Sequence, residues 1–228
     1  RLAATGSASP IIEDASTDSG TGRWTVIKIP TLSFYEYCQL LQLDDMPLLP
    51  DHLKITDIPK MENAEVADLM ARFEPLVKHF NRYLTIGGFP ELALSDDDLY
   101  AQRMLREDVV DKVIKRDVLT LFKVRSPLLM EKLFLYLCMN STEIFSSTTA
   151  AKELDNISPN TIESYVDALV KSNLIYMAYP IAVGSKSVLK GRPKIYIADA
   201  AIRNAVLMVD DVLSDERELG LLIETTVY

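Results

Sequence analysis

The chain has 228 residues, of which 48% are hydrophobic and 25% are charged, and its formal net charge is −9. This composition excludes wholesale disorder and predicts a globular protein with one large core or two modest ones. The negative charge argues against a nucleic-acid coat, so any DNA contact would have to come from a local basic patch. The sequence has no apolar segment long enough to span a bilayer and no apolar segment typical of a signal peptide. We therefore expect a cytoplasmic protein without membrane contact.

The ends of the chain and its cysteines add two expectations. The chain begins at Arg1 and stops in "IETTVY", inside an apparent helix or strand, which indicates a fragment of a longer protein. Cys38 and Cys138 are far apart, and we interpret them as reduced, buried thiols.

The two histidines lie in different elements without other ligands at metal-binding spacing, so no metal site is predicted.

Most predicted elements are helices. Ser33 with Glu36 three residues later forms a capping box that begins the first helix. A proline-rich linker follows. The next segment has apolar residues at helical spacing, which predicts a helix that is interrupted at Pro75 and ends at the glycine pair of "GGFPE". Ser95 is predicted to cap the next helix. Ser126 and Pro127 begin another, whose run "LLMEKLFLYLCM" is apolar nearly all round and therefore predicts burial in a core.

The segment from residue 146 onward carries the most local information. A short helix, "TTAAKEL", precedes the polar turn "DNIS" and a second helix with Ser158 at the N-cap and Pro159 at its first position. Two short strands, "LIYMAYPI" and "KIYIADA", flank a glycine-containing loop. This order is that of a winged helix-turn-helix. The fold class is therefore mainly α with small β elements.

In such a domain the second helix presents its outer face to DNA, and the loop between the strands is the wing. Cations there would contact phosphates, and the loop holds no acidic residue. Glu163 and Asp167, however, share the outer face of the helix, so a protein-interaction role stays open. The DNA-binding candidates are Asn160, Thr161, Ser164 and Lys171 on the helix, and Lys186, Lys190, Arg192 and Lys194 on the wing.

Motifs for common chemistries are missing. The sequence contains no phosphate-binding loop of the G-x-x-x-x-G-K-[ST] type, no G-x-S-x-G elbow and no dinucleotide fingerprint. The run "AVLMVDD" ends in Asp210 and Asp211 like a magnesium-binding strand, but without a phosphate loop we interpret it as a helix end or turn.

The order of several short motifs nevertheless resembles a known family. The chain is similar to the prokaryotic P-loop ATPases of the AAA+ type that carry, after the ATPase core, a helical lid, a winged helix and a region similar to PD-(D/E)XK nucleases. The matching pieces, spread over nearly the whole chain, are "ATGSAS", "SGTGRW", "LSFYEY", "YLTIGGFPEL", "VIKRDV", the helix-turn-helix, "KIYIADAAI" and "GLLIET".

The resemblance implies roles for individual residues. Thr5 and Ser7 would sense the γ-phosphate, and Arg23 would be an arginine finger that reaches a neighbouring subunit's nucleotide, which implies a homo-oligomer. The parent protein would bind ATP and Mg²⁺. This chain alone is expected to be inactive because Walker A and Walker B would lie upstream. Glu224 matches the first acidic position of the nuclease-like region, whose other ligands would lie beyond the chain.

The resemblance also divides the chain into four parts. Residues 1–48 would end the ATPase core, 49–122 would be a linker and the helical lid, 123–200 the winged helix, and 201–228 the start of the nuclease-like region. The leading hypothesis is a C-terminal part of an AAA+-like ATPase whose winged helix couples nucleotide state to DNA or to a protein partner. The alternative is a winged-helix DNA-binding regulator or an interaction module without ATPase activity.

Overall fold

A computed structural model describes residues 27, 29–43, 46–47, 53–119, 122, 124–181, 191–209 and 211–228. The structure is mainly helical with one small sheet, as the sequence predicts. The helices are α1 (Phe34–Leu40), α2 (Asn63–Phe73), α3 (Val77–Ile86), α4 (Pro90–Ala93), α5 (Asp98–Met104), α6 (Pro127–Met139), α7 (Ser147–Glu153), α8 (Pro159–Lys171), α9 (Ala200–Leu207) and α10 (Glu216–Val227). The strands are β1 (Ile175–Ala178) and β2 (Lys194–Ile197), with 3₁₀ turns at Ile55–Lys60 and Glu74–Leu76 and π-helical stretches at Leu105–Asp111 and Val113–Val118.

Local capping rules placed most helix starts correctly. The capping box before α1 is confirmed, because the backbone N–H of Ser33 donates to Glu36 Oε2 at 2.8 Å and Ser33 Oγ accepts from Glu36 N at 3.3 Å. The prediction that Ser95 caps a helix is wrong by two residues. The N-cap of α5 is Asp97, whose Oδ1 accepts from Tyr100 N at 2.9 Å, while Ser95 Oγ accepts from Asp97 N. A carboxylate outcompetes a hydroxyl as acceptor at the positive helix end.

Helix α6 is less buried than its apolar sequence predicts. Its inner face packs into the core, whereas Leu128, Leu135 and Met139 are exposed on the outer face. A sequence that is apolar all round carries no periodicity to show which side faces solvent. The inner face consists of Met130, Leu133, Phe134, Leu137 and Cys138.

Helix α9 lies at the centre of the fold. Six of its eight residues are buried, and it contacts α3, α5, the first π-helical stretch, α6, β2 and α10. One hydrophobic cluster accordingly runs from Tyr37 in α1 to Ala205 in α9. Helix α9 thus packs against helices on both sides of the boundary predicted at residue 122, and the four-part division of the chain stays a prediction.

The residue before α9 fixes its position. Asp199 is buried, and its Oδ1 accepts from Ala201 N at 2.9 Å, which caps the helix. Its Oδ2 accepts from the backbone N–H of Gly88 at 2.9 Å, and the Thr31 side chain also bonds to the carboxylate. One side chain therefore joins the segment before α1, the loop after α3 and the start of α9.

The glycine pair after α3 makes this contact possible. Gly87 has φ of 77°, and a Cβ there would lie 2.2 Å from Asp199 Oδ1. A Cβ on Gly88 would lie 2.2 Å from the carbonyl oxygen of Leu32, and the backbone N–H of Leu32 donates to the carbonyl oxygen of Gly88 at 2.7 Å. The predicted end of the helix at this glycine pair is confirmed. Gly88 is needed because only a residue without a Cβ allows its backbone to lie this close to that of Leu32.

Two polar side chains of α9 anchor neighbouring helices. Arg203 is buried, and its Nε donates to the carbonyl oxygen of Cys138 at 3.1 Å while its Nη1 donates to Glu218 Oε2 at 2.6 Å. Asn204 Nδ2 donates to the carbonyl oxygen of Leu84 at 3.0 Å. Buried polar groups of this kind are costly unless they are paired, so these bonds specify how α3, α6 and α10 meet α9.

The cysteines match the prediction. Cys38 and Cys138 are both free and buried, and burial raises the pKa of each thiol. Both thiols therefore favour the protonated form at neutral pH.

We expect Gly88→Ala to destabilise the fold, because its Cβ would clash with backbone that cannot rotate away. A loss of about 1–3 kcal/mol is typical of overpacking at such a site and would appear in urea unfolding. Gly220→Ala in α10 is the matched control: beyond its chain neighbours and the backbone of its own helix, no described atom lies within 4 Å of its Cβ, so it should gain about 0.5–1 kcal/mol. Equal effects of the two substitutions would contradict the close-approach account.

Asp199→Asn should destabilise the protein by about 1–3 kcal/mol, because an amide cannot accept at both positions and one backbone N–H loses its partner. Burial raises the pKa of Asp199, so the folded state binds the proton more tightly than the unfolded chain. The stability advantage of the wild type over Asp199→Asn should therefore shrink as the pH rises from the unfolded value toward the folded pKa. An advantage that grows with pH over this interval, in matched urea titrations, would contradict the raised pKa.

Candidate nucleic-acid interface

Helices α7 and α8 pack against each other across a tight turn. Ser146 caps α7 by accepting from Thr149 N at 3.3 Å. Asp155 and Asn156 in the turn have φ of 62° and 55°, in the left-handed region that Asp and Asn tolerate best after glycine. Ser158 occupies the predicted N-cap of α8 but makes no side-chain capping bond. The two helices and the turn are thus placed as the sequence predicts.

The inner face of α8 joins the core. Ile162, Tyr165, Val166 and Leu169 are buried and Val170 is half-buried, as the helical period predicts. The hydroxyl of Tyr165 also accepts from the backbone N–H of Ser126 at 3.1 Å, which joins α8 to the start of α6. The opposite face of α8 is exposed.

The strands form an antiparallel pair, with Ile175 opposite Ile197. Both are shorter than predicted, and β2 ends at Ile197 because Asp199 caps α9 where the sequence suggested strand. A third segment, residues 142–145, pairs with the other edge of β2. Thr142 N donates to the Ile195 carbonyl oxygen at 2.7 Å, and Phe145 N donates to that of Pro193 at 2.8 Å. The segment comes between α6 and α7 and has no counterpart in the sequence prediction.

The candidates on α8 lie together on its outer face. Asn160 and Ser164 are exposed and Thr161 is half-exposed near the start of the helix. Lys171 lies at the other end, with its Nζ 2.8 Å from Asp167 Oδ2. Glu163 is also exposed, and its Oε1 accepts from Ser147 Oγ at 2.7 Å. The outer face therefore carries two carboxylates to one ammonium, and that ammonium is already paired.

The wing candidates differ in their surroundings. Lys186 and Lys190 lie outside the described residues. Arg192 is exposed beside the start of β2. Lys194 is half-exposed in β2, and its Nζ lies 2.7 Å from Glu224 Oε1 of α10.

The contact between β2 and α10 has further members. Glu224 Oε1 also accepts from Tyr196 OH at 2.9 Å, and the Tyr196 ring stacks on Tyr228 with centroids 4.0 Å apart and planes 10° apart. The hydrogen bond to Glu224 raises the pKa of Lys194, and the same bond lowers the pKa of Glu224. Both groups are therefore charged at neutral pH. Sequence reasoning missed this contact because its partners are 28–30 residues apart.

A groove of about 770 Å³ runs between α8 and the hairpin. One wall is formed by Glu163, Val166, Asp167 and Val170 of α8, and Tyr228 also contributes. The remaining described lining residues are Phe145, Ser146, Ser147, Thr148, Tyr176, Met177, Tyr179, Gly191, Arg192 and Pro193. Four aromatic rings and two carboxylates thus line a groove that also carries an arginine.

The residues assigned to nucleotide chemistry cannot be placed. Thr5, Ser7 and Arg23 lie outside the described residues. Among the residues that the structure does describe, no group of three or more His, Cys, Asp or Glu side chains is arranged to hold a metal ion. None of the helices in the described ranges combines the length and the apolar character that a bilayer crossing requires.

Comparisons with known proteins identify relatives. An uncharacterized protein of Haemophilus influenzae is 24% identical over 187 residues, which cover 80% of this chain and 40% of that protein. The uncharacterized protein MJ1544 of Methanocaldococcus jannaschii is 24% identical over 182 residues, which cover 77% of this chain and 39% of that protein. The chain thus spans about two fifths of the length of these curated relatives. No solved structure matches it significantly.

A family model, described as a domain of unknown function, DUF8612, matches residues 77–213. The match runs from the start of α3 to the segment after α9 and contains the two helices, the hairpin and the buried Asp199 contact. Because more than half of the chain is covered, the protein belongs to the DUF8612 family.

Proposed function

We propose that residues 127–197 form a winged helix-turn-helix in the C-terminal part of an ATP-binding AAA+-like ATPase, and that this unit couples nucleotide state to DNA. One observation carries the proposal: β2 pairs on one edge with β1 and on the other with residues 142–145. A helix, an edge segment, two helices and a hairpin in this chain order are the parts of a winged helix.

The charges favour a particular mode of DNA contact. Glu163 and Asp167 on the outer face of α8 would repel phosphates, and insertion of this helix into a groove would bury them near the backbone. The loop between the strands has the opposite character, because its sequence holds Lys186, Lys190 and Arg192 and no acid. The proposed contact is therefore made by the wing to phosphates and is largely independent of base sequence.

The ATPase part of the proposal rests on the resemblance in the sequence. The relatives are more than twice as long as their matched segments, which leaves room for a nucleotide-binding domain in such proteins. Thr5 and Ser7 would respond to the γ-phosphate, Arg23 would complete a neighbour's site in an oligomer, and ATP with Mg²⁺ would bind the parent protein. Helix α9, which packs on α3 and on β2, offers a rigid connection between the lid and the wing.

A protein partner is the second candidate, and the groove beside α8 favours it. Its aromatic side chains, including Tyr176 and Tyr179, offer contact area, and Glu163 and Asp167 would attract a basic segment. In that case the unit would be an interaction module, with or without an ATPase attached.

The triple variant Lys186→Ala, Lys190→Ala, Arg192→Ala distinguishes the two candidates. If the wing contacts phosphates, the variant should bind a 20-base-pair duplex more than about tenfold more weakly at 0.1 M salt, and its slope of log affinity against log salt should be smaller by roughly 0.9 for each cation removed. Fluorescence anisotropy with the full chain measures both quantities.

The matched control for that experiment is Lys54→Ala, Lys60→Ala, Lys78→Ala, which removes the same charge from exposed positions outside the hairpin. It should keep the wild-type slope. Equal losses in the two variants would indicate non-specific attraction, and no DNA affinity in the wild type would leave the protein-partner candidate.

A further inference from the structure

We infer that helix α10 competes with DNA for the wing cation Lys194. The carboxylate of Glu224 holds the ammonium that a phosphate would otherwise contact, so α10 lowers the DNA affinity of the wing. This inference rests on the proposed DNA contact and adds a regulatory element to it.

Three contacts hold the end of α10 on β2. Lys194 Nζ lies 2.7 Å from Glu224 Oε1, and the same oxygen accepts from Tyr196 OH at 2.9 Å. The Tyr228 ring stacks on Tyr196. Together these contacts, which we name the α10 latch, hold Glu224 against the Lys194 and Tyr196 side chains of β2.

The latch occupies the ammonium without burying it. The Lys194 side chain remains 44% exposed, so a phosphate can approach from the solvent side. An ion pair this exposed is only weakly stabilising. Phosphate and carboxylate offer the same kind of anionic acceptor to the ammonium. A phosphate can therefore displace Glu224, and the latch tunes DNA affinity rather than abolishing it.

The two ends of α10 are held differently. At its start Asp215 caps the helix, and Glu218 bonds to Nη1 of buried Arg203. Near its end Thr225 is buried, whereas Glu224 and Tyr228, which contact β2, are exposed. The exposed Glu224 side chain can therefore rotate away from Lys194 while the helix itself stays anchored, which would release Lys194.

The electrostatic surroundings of Lys194 agree with this role. Glu224 is the acid in contact with it, and Glu143 on the adjacent paired segment adds a weaker attraction. Loss of the Glu224 charge would therefore leave Lys194 with only the weaker attraction of Glu143, and its ammonium would be available to another anion.

Two substitutions open the latch in different ways. Glu224→Gln removes the charge but preserves the shape, and Tyr228→Ala removes the stacking without changing the net charge. Both should strengthen binding of a 20-base-pair duplex about three- to fivefold at 0.1 M salt, and Glu224→Gln should steepen the salt slope by about 0.9 because one more phosphate is neutralised.

Asp111→Asn is the control for net charge. It removes the same charge from a comparably exposed pair, in which Asp111 Oδ2 lies 3.3 Å from Lys115 Nζ, on a π-helical stretch instead of the hairpin. Glu224→Gln combined with Lys194→Ala should lose the gain, since the released cation is absent. Circular dichroism of every variant checks that the fold is retained.

The outcomes separate this inference from the proposed function. If the wild type binds duplex through the wing and Glu224→Gln gains no more than Asp111→Asn, the latch is overturned and the DNA contact stands. If neither the wild type nor the latch variants bind duplex, both are overturned. A gain in Glu224→Gln and Tyr228→Ala that Lys194→Ala abolishes supports both.

Discussion

The buried carboxylate of Asp199 is the constraint on which the arrangement of the helices depends. It accepts hydrogen bonds from Gly88 N and Ala201 N and from the Thr31 side chain, and so joins three segments that are far apart in sequence. Burial of a carboxylate is expensive unless such donors surround it. The two glycines after α3 are required because a Cβ at either position would occupy the space of Asp199 or of the Leu32 backbone.

This constraint gives α9 its central place and links the fold to the proposed function. The helix begins at the Asp199 contact, directly after β2, and its buried Arg203 and Asn204 then bond to the backbone of α6 and α3. A displacement of α3 would therefore be passed to the hairpin through a rigid, buried helix instead of a loop. In the proposed ATPase, this is the physical route by which a moving lid would shift the wing. The pair of Arg203 with Glu218 extends the same connection to α10.

Features encoded by neighbouring residues could be predicted, and those encoded by distant ones could not. The capping box of Ser33, the buried face of α8 and the turn before Ser158 follow from spacings of a few residues. The failure at Ser95 was also local, since Asp97 is the better acceptor for the first turn. The hydrogen bond from Gly88 to Asp199 joins residues 111 positions apart, and no local sequence pattern predicts it. At the candidate site, the residues of α8 could be located, but the pairing of Lys194 with Glu224 depends on how α10 packs.

Amide hydrogen exchange, compared between the wild type and Asp199→Ala, tests most directly whether the Asp199 contact holds α3, α9 and β2 together. If it does, the loss of the carboxylate should speed amide exchange together in the last turn of α3, in α9 and in β2, while the first turn of α2, which has no buried residues, should exchange as in the wild type. Exchange that increases only at Gly88 and Ala201 would contradict the account, because it would show that α9 and the hairpin hold their places without this contact.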